Sequence, residues 1–286
     1  MGRFFVIRRW RTFWAPRVFN LVNSTKPKLA VHKFSSCDGC QLALLNLGES
    51  LLELPKYVDI THFAEAGPNN PNAKVDVALV EGSISTPDDI ERIRQVRENS
   101  AYLISLGACA TAGGLQALAN LADRDAWMAA VYARPDTIET LSSSTSISEH
   151  VKVDLELHGC PVNSQQVIAA LADLLAGVNP VSERQPLCME CKRNGVVCTM
   201  VTKGEPCMGP VTRAGCGALC PSLGRACYSC YGPAETVNDG ALAQRLQSLG
   251  LTPEAVARRF LFITSGASPF RDAGLRLRPP PLETDE

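Results

Sequence analysis

The sequence predicts an α/β protein, with a parallel sheet covered on both faces by helices and followed by a small domain organised by cysteines. Three observations carry that expectation. Between residues 29 and 178, short β-rich apolar runs alternate with helical runs, the pattern of a parallel sheet. The twelve cysteines are unevenly placed: none precedes Cys37, four run from Cys37 to Cys160, and eight fall between Cys188 and Cys230. At 286 residues, 45% hydrophobic and 20% charged, the chain is long enough for one to two domains with a sizeable core. This composition excludes a wholly disordered, collagen-like or coiled-coil chain.

Residues 1–28 form a basic arm. Seven lysines and arginines stand there against no acid, while the remainder carries 21 basic and 29 acidic residues. Arg8-Arg9 followed by Trp10 loosely resembles a twin-arginine export signal, but Ala15-Pro16-Arg17 interrupts the segment and no apolar stretch precedes Lys26. Export is therefore not expected, and no run approaches the 18 apolar residues of a transmembrane span. Phe4, Phe5, Trp10, Trp14 and Phe19 interleave with the cations, a composition compatible with nucleic-acid or anionic-membrane contact. On its own this is a weak signal, and no nucleic-acid partner is expected.

Residues 29–178 form the α/β domain. Leu29–Phe34 is the first strand, and Leu42–Leu54 a helix ended by Pro55. Val58–Phe63 and Val75–Val80 are the next strands; the latter runs into Glu81-Gly82. A helix then starts at Thr86-Pro87, with Asp88 and Asp89 favourably placed in its first turn. Tyr102–Leu106 and Val151–Leu157 complete the sheet, and Ser164–Leu175 is the helix after it. No GxGxxG follows the first strand, so a dinucleotide site of that kind is not expected.

Cys37 and Cys40 follow the first strand, Cys109 the fourth and Cys160 the fifth. Ligands of open α/β sheets gather outside the carboxyl ends of the strands, so these four thiols converge at one rim. Such a set suits tetrahedral thiolate ligation of zinc or of an iron–sulfur cluster. Gly107, Gly113, Gly114 and Gly159 would let backbone approach closely there. A thioredoxin-like dithiol at Cys37-x2-Cys40 is the alternative, but it leaves Cys109 and Cys160 without a role. Buried cysteines are also ordinary core residues, the blandest reading of Cys109 taken alone.

Residues 179–286 form the second domain. Cys188, Cys191, Cys198, Cys207, Cys216, Cys220, Cys227 and Cys230 lie within 43 residues rich in Gly and Pro. Such a segment holds little hydrophobic core and needs metals or cross-links. Two structural zinc sites would satisfy that need. Three four-thiolate sites in one chain fit an electron relay better, because iron–sulfur centres exchange electrons and zinc does not. Ala241–Leu249 and Pro253–Phe260 read as helices, and Arg276–Glu286 as a Pro-rich acidic tail.

The ordered set Ser36-Cys37-Asp38-Gly39-Cys40-Gln41, Val80-Glu81-Gly82, Gly107-Ala108-Cys109-Ala110, Gly159-Cys160-Pro161 and Cys207-Met208-Gly209-Pro210 through Cys216-Gly217-Ala218-Leu219-Cys220-Pro221 resembles the small subunit of cytoplasmic [NiFe] hydrogenases. The likeness is to the NAD(P)-linked and sulfhydrogenase delta types and spans about Lys28 to Phe270. It implies a flavodoxin-like domain holding a proximal [4Fe-4S] cluster on Cys37, Cys40, Cys109 and Cys160. The C-terminal cysteines would hold medial and distal clusters, three [4Fe-4S] clusters in all. The chain would be a non-catalytic, cytoplasmic subunit. It would relay electrons between the Ni-Fe centre of a separate large subunit, where H₂ is split, and iron–sulfur and flavin (diaphorase) subunits that reduce or oxidise NAD(P), in a possible higher-order complex.

Alternative complexes are F420-, heterodisulfide- or quinone-linked; a zinc-stabilised binding or assembly protein is the remaining rival. Exported relatives use a histidine at the distal cluster, whereas the last histidine here is His158. The related 20 kDa subunit of NADH:quinone oxidoreductase typically has adjacent tandem cysteines and lacks the eight-cysteine tail, so it is the weaker match. Spacing leaves the pairing of the last eight cysteines open. Sequential fours and an exchange between halves are equally allowed. Glu81 is expected to help organise the subunit interface or assist proton movement, or else to serve simply at a helix start or in a salt bridge, and His158 to be a core residue or to lie behind the ligands.

Overall fold

The structure, a computed structural model, describes residues 26–278. Most of the basic arm and all of the acidic tail after Arg278 lie outside the described residues. Five strands form one parallel sheet: β1 Lys28–Lys33, β2 Asp59–Phe63, β3 Val75–Glu81, β4 Ser100–Leu106 and β5 Leu155–Leu157, in the order β2-β1-β3-β4-β5. The order reverses between β1 and β3, which places the topological switch point where Cys37 and Cys40 leave the sheet.

Both faces of the sheet are apolar. Leu29 and Val31 of β1, Leu79, Ile104 and Leu106 pack on one side against helix α1, Gly39–Leu45, and a later helix, Ser164–Leu175. Ala30, Ala78, Val80 and Leu103 face the other side, where Ile93 and Val96 of α2, Pro87–Glu98, cover them. Helix α2 starts where expected. The Thr86 hydroxyl accepts from Asp89 N at 3.2 Å, and the Asp89 carboxylate accepts from Thr86 N at 3.0 Å. A short helix α3, Gly107–Ala112, follows β4, and Ser164–Leu175 is α4.

Three elements differ from the sequence expectation. The helix expected over Leu42–Leu54 is broken into α1 and a turn at Glu49–Glu53, with Gly48 at φ 59° between them. The fifth strand is only Leu155–Leu157, because Asp154 is drawn aside: its carboxylate pairs with Arg97 at 2.6 Å and accepts from Leu103 N at 2.9 Å. The C-terminal region has more core than its composition implied. Leu187, Met208 and Val211 from the cysteine-rich stretch pack with Leu246, Val256, Phe260 and Phe270. The last four come from α6 Asp239–Ser248, α7 Pro253–Phe260 and α8 Ser268–Leu277, the last helix not expected from sequence. Helix α5, Cys188–Arg193, and single turns at Thr199–Thr202 and Leu219–Ser222 carry cysteines or flank them. No helix among the described residues is long and apolar enough to cross a membrane.

Candidate metal centres

The chain reaches the rim from three strands. Cys37 leaves β1, Cys40 lies in the first turn of α1, Cys109 lies in α3 after β4, and Cys160 follows β5. Glycines keep the space between them open. A Cβ on Gly107 would stand 2.3 Å from Cys40 Sγ, one on Gly114 2.5 Å from Cys109 Sγ, and one on Gly39 3.3 Å from Cys37 Sγ. Ala108 N donates to Gly159 O at 2.7 Å, tying the Cys109 and Cys160 loops together, and Val162 N donates to Cys40 Sγ at 3.5 Å.

The four sulfurs sense one another. Burial pushes the Cys40 thiol well above its ordinary value, with Glu81, Cys109 and Cys160 adding to the effect. Cys109 is pushed up to about 11 by burial and then by Cys160, with a smaller rise from Cys37. Cys160 rises through burial and through Cys37. Thiols so placed gain no cation from the protein; only a bound cationic centre would favour their thiolate forms.

Glu81 ends β3 with 1% of its surface exposed. Its two carboxylate oxygens accept from Cys40 N at 2.9 Å and Gln41 N at 3.1 Å. Helix α1 has no capping side chain of its own, since Asp38 at its start sits at φ 64° and makes no cap bond. Glu81 therefore caps α1 from the neighbouring strand, fixing Cys40 through its backbone. Gln41 is fully buried, yet neither its amide oxygen nor its nitrogen finds a partner. His158 is held neutral by burial and then by Arg213, its pKa lowered to about 3.

The eight later cysteines are drawn together as well. A Cβ on Gly209 would lie 3.4 Å from Cys207 Sγ and 3.6 Å from Cys188 Sγ, so those sulfurs share one cradle. Cys191 is pushed up to about 11 by burial, then by Cys188, Cys207 and Cys198. Cys230 is pushed up to about 12 by burial, with Cys216, Cys160 and Cys220 adding to the effect. Cys227 stands between the groups: its N–H donates to Cys207 Sγ at 3.3 Å, and both Cys207 and Cys230 raise its pKa beyond the effect of burial. The Cys160 backbone also bonds the Cys230 sulfur.

Tyr231 fills the gap between the first rim and the C-terminal cysteines. A Cβ on Gly159 or on Gly215 would come within 2.9 Å of its ring. All twelve cysteines are free, and among the described residues no three His, Cys, Asp or Glu side chains stand tightly enough to hold a single ion.

The chain's sequence resembles that of sulfhydrogenase 2 subunit delta from Pyrococcus furiosus. Identity is 38% over 232 residues, covering 81% of this chain and 97% of that protein. This chain belongs to the family of small electron-transfer subunits of hydrogenases. A second relative, one of the subunits of the F420-non-reducing hydrogenase of Methanocaldococcus jannaschii, is 31% identical over 72% of this chain and 81% of its own length. Residues 37–174 match the family model of the NADH ubiquinone oxidoreductase 20 Kd subunit.

Among solved structures, the chain is similar to one in an NAD+-reducing [NiFe]-hydrogenase in the H₂-reduced state. The TM-score is 0.51 at 26% identity, covering 55% of this chain and 95% of that one. A chain of the actinobacterial-type NiFe-hydrogenase from Ralstonia eutropha H16 shares the fold over 91% of this chain and 94% of that one, with TM-score 0.53 at 16% identity.

Sequence analysis names all twelve cysteines as candidate ligands and singles out Glu81. It misses Glu190, which lies between Cys188 and Cys191. Its oxygens accept from Gly215 N at 2.8 Å and Ala218 N at 3.1 Å. An acid between two clustered cysteines was the available signal. Gln116, whose Oε1 lies 3.4 Å from Cys109 Sγ, left no signal in the sequence.

Proposed function

We propose that the chain is an electron relay built on three [4Fe-4S] clusters, passing electrons between the Ni-Fe centre of a hydrogenase large subunit and the iron–sulfur and flavin subunits of a cytoplasmic, NAD(P)-linked complex. The observation that carries this is the chain of contact between cysteine sets. Cys160 of the rim set touches Cys230, and Cys227 beside Cys230 touches Cys207. Cys37 at one end and Cys198 in the last set are exposed, while Cys40, Cys207 and Cys227 are buried.

This order supports sequential grouping. Cys216, Cys220, Cys227 and Cys230 form the middle site; Cys188, Cys191, Cys198 and Cys207 form the terminal one. The glycine cradles at the rim and terminal sets and the free thiols of all three sets fit clusters with thiolate ligands. When bound, iron–sulfur clusters supply reversible one-electron storage at potentials the protein adjusts.

The chain's own work is to hold and separate these centres. Glu81 fixes the Cys40 turn. Tyr231, wedged between Gly159 and Gly215, keeps the rim and middle loops apart while excluding water. The large-subunit partnership is supported by the relatives' place in hydrogenases. The NAD(P) linkage is supported by the likeness of just over half of this chain to the NAD+-reducing enzyme's chain. Metal analysis of anaerobically purified protein tests the reading. About twelve iron and twelve acid-labile sulfides per chain are expected, whereas a colourless protein carrying zinc would refute it.

A further inference from the structure

The loop from Gly215 to Ala218, which carries Cys216, has an unusual backbone. Gly215 is at φ 133°, Gly217 at φ 69° and Ala218, a non-glycine, at φ 58°. Three left-handed residues in four leave a loop that does not hold its own shape. It is held from outside, chiefly from helix α5, with Asn163 Nδ2 also donating to Gly215 O at 3.3 Å. The Glu190 carboxylate takes Gly215 N–H on one oxygen and Ala218 N–H on the other, while Asn194 Nδ2 at the end of the same helix donates to Gly217 O at 3.0 Å. Helix α5 also carries Cys188 and Cys191. This six-residue helix and its C-cap residue Asn194 thus supply two sulfurs to the terminal set and three hydrogen bonds to the loop of the middle set. The neighbouring Arg193 pairs elsewhere, with Glu183 at 3.6 Å, so it does not neutralise Glu190. The device repeats that of Glu81, whose carboxylate takes two N–H groups beside Cys40.

We propose that Glu190 is a positioning residue that locks the middle and terminal cysteine sets to each other and keeps a fixed negative charge against the middle one. The proposal rests on the reading of these sets as cluster sites. A carboxylate beside a cluster opposes the arriving electron, so Glu190 holds the middle site at a lower potential than it would otherwise have. It also makes the spacing of two electron sites depend on one side chain.

The test uses the anaerobically purified full chain with its clusters, as Glu190→Gln and Glu190→Asp. Iron is counted per chain, and an EPR-monitored redox titration with dithionite follows the clusters. Gln removes the charge and leaves one acceptor; Asp keeps the charge on a shorter arm. Glu190→Gln is expected to favour reduction of one C-terminal cluster by about tenfold, equivalent to 59 mV for one electron, with the rim cluster unmoved. Glu190→Asp is expected to leave that midpoint in place while lowering iron occupancy.

If Glu190→Gln instead loses about four iron per chain, Glu190→Asp decides. An unmoved midpoint in its remaining middle clusters supports the proposal, and a raised one overturns it. Full iron with every midpoint unmoved in Glu190→Gln also overturns it, as does an equal shift in both variants. A wild-type chain without iron or labile sulfide would refute the cluster reading itself, a result separable from any failure of Glu190.

Discussion

Replacing Gly107 by alanine places one methyl group against a candidate ligand sulfur where the structure has no room for it. Gly107 sits at φ +79°, and its Cβ would stand 2.3 Å from Cys40 Sγ and 3.1 Å from Gly159 O. Left-handed backbone costs an L-residue about 1–2 kcal/mol. Overpacking a filled site adds about 1–3 kcal/mol. The sum, about 2–5 kcal/mol, is a large part of the roughly 5–15 kcal/mol that holds a typical domain together. It falls on one sulfur, because Cys40 is pinned on its other side by Glu81 and by Val162 N.

Gly107→Ala is therefore expected to reach the soluble fraction with native-like far-UV circular dichroism but to lack the rim cluster, losing about four iron and four sulfide per chain. Gly195→Ala is the control. That glycine has φ +64° but nothing within 4 Å of its Cβ, so backbone strain appears without a clash and iron stays complete. A Gly107→Ala protein with full iron and an unshifted urea midpoint would refute the steric reasoning and, with it, the placement of Cys40 in the site.

Phe260→Ala should destabilise the C-terminal core by about 3–5 kcal/mol in urea unfolding, since the ring is fully buried and meets Phe270 edge-on at 5.7 Å. Thr86→Ala removes the cap of α2 and should cost about 1 kcal/mol in the same assay without changing iron content. His32 is buried against His62, with ring centroids 4.8 Å apart, and its pKa is lowered to about 4, chiefly by burial. Between pH 6.5 and 4 the unfolded chain holds a proton on His32 that the folded chain refuses. Stability therefore falls as pH falls through that window, by up to about 1.4 kcal/mol per pH unit. Urea midpoints of His32→Phe at pH 7 and pH 5.5 should differ less than those of the unmodified chain; an equal fall would rule out His32 as the source.

Much of this molecule is readable from its residues because two strong periodicities dominate it. The short run Val77–Val80, rich in valine and bounded by Asp76 and Glu81-Gly82, reads as a strand covered on both faces, and Thr86-Pro87-Asp88-Asp89 spells a helix start in local chemistry alone. Cysteines at strand ends were equally legible, since topology fixes where such ends lie. What escaped depends on contacts distant in sequence. Asp154 leaves the fifth strand because Arg97, 57 residues away, claims it. Glu81 serves as a cap for Cys40, 41 residues back, and Glu190 serves a loop 25 residues ahead. The order proposed for the C-terminal sites rests on the Cys160–Cys230 and Cys207–Cys227 contacts, which no spacing rule encodes. The core behind those cysteines comes largely from helices downstream, including Ser268–Leu277, whose apolar residues are too few to announce it.

The relay itself is tested most directly by removing its middle. In the complete hydrogenase complex, with this chain carrying Cys230→Ala, H₂ should still reduce the rim cluster, seen by EPR on rapid freezing. Electron delivery to an external acceptor and reduction of the terminal cluster should fall by orders of magnitude. Acceptor reduction at the unmodified rate, with the middle cluster shown to be missing, would contradict a path running from the Cys37 set through the Cys216 set to the Cys188 set.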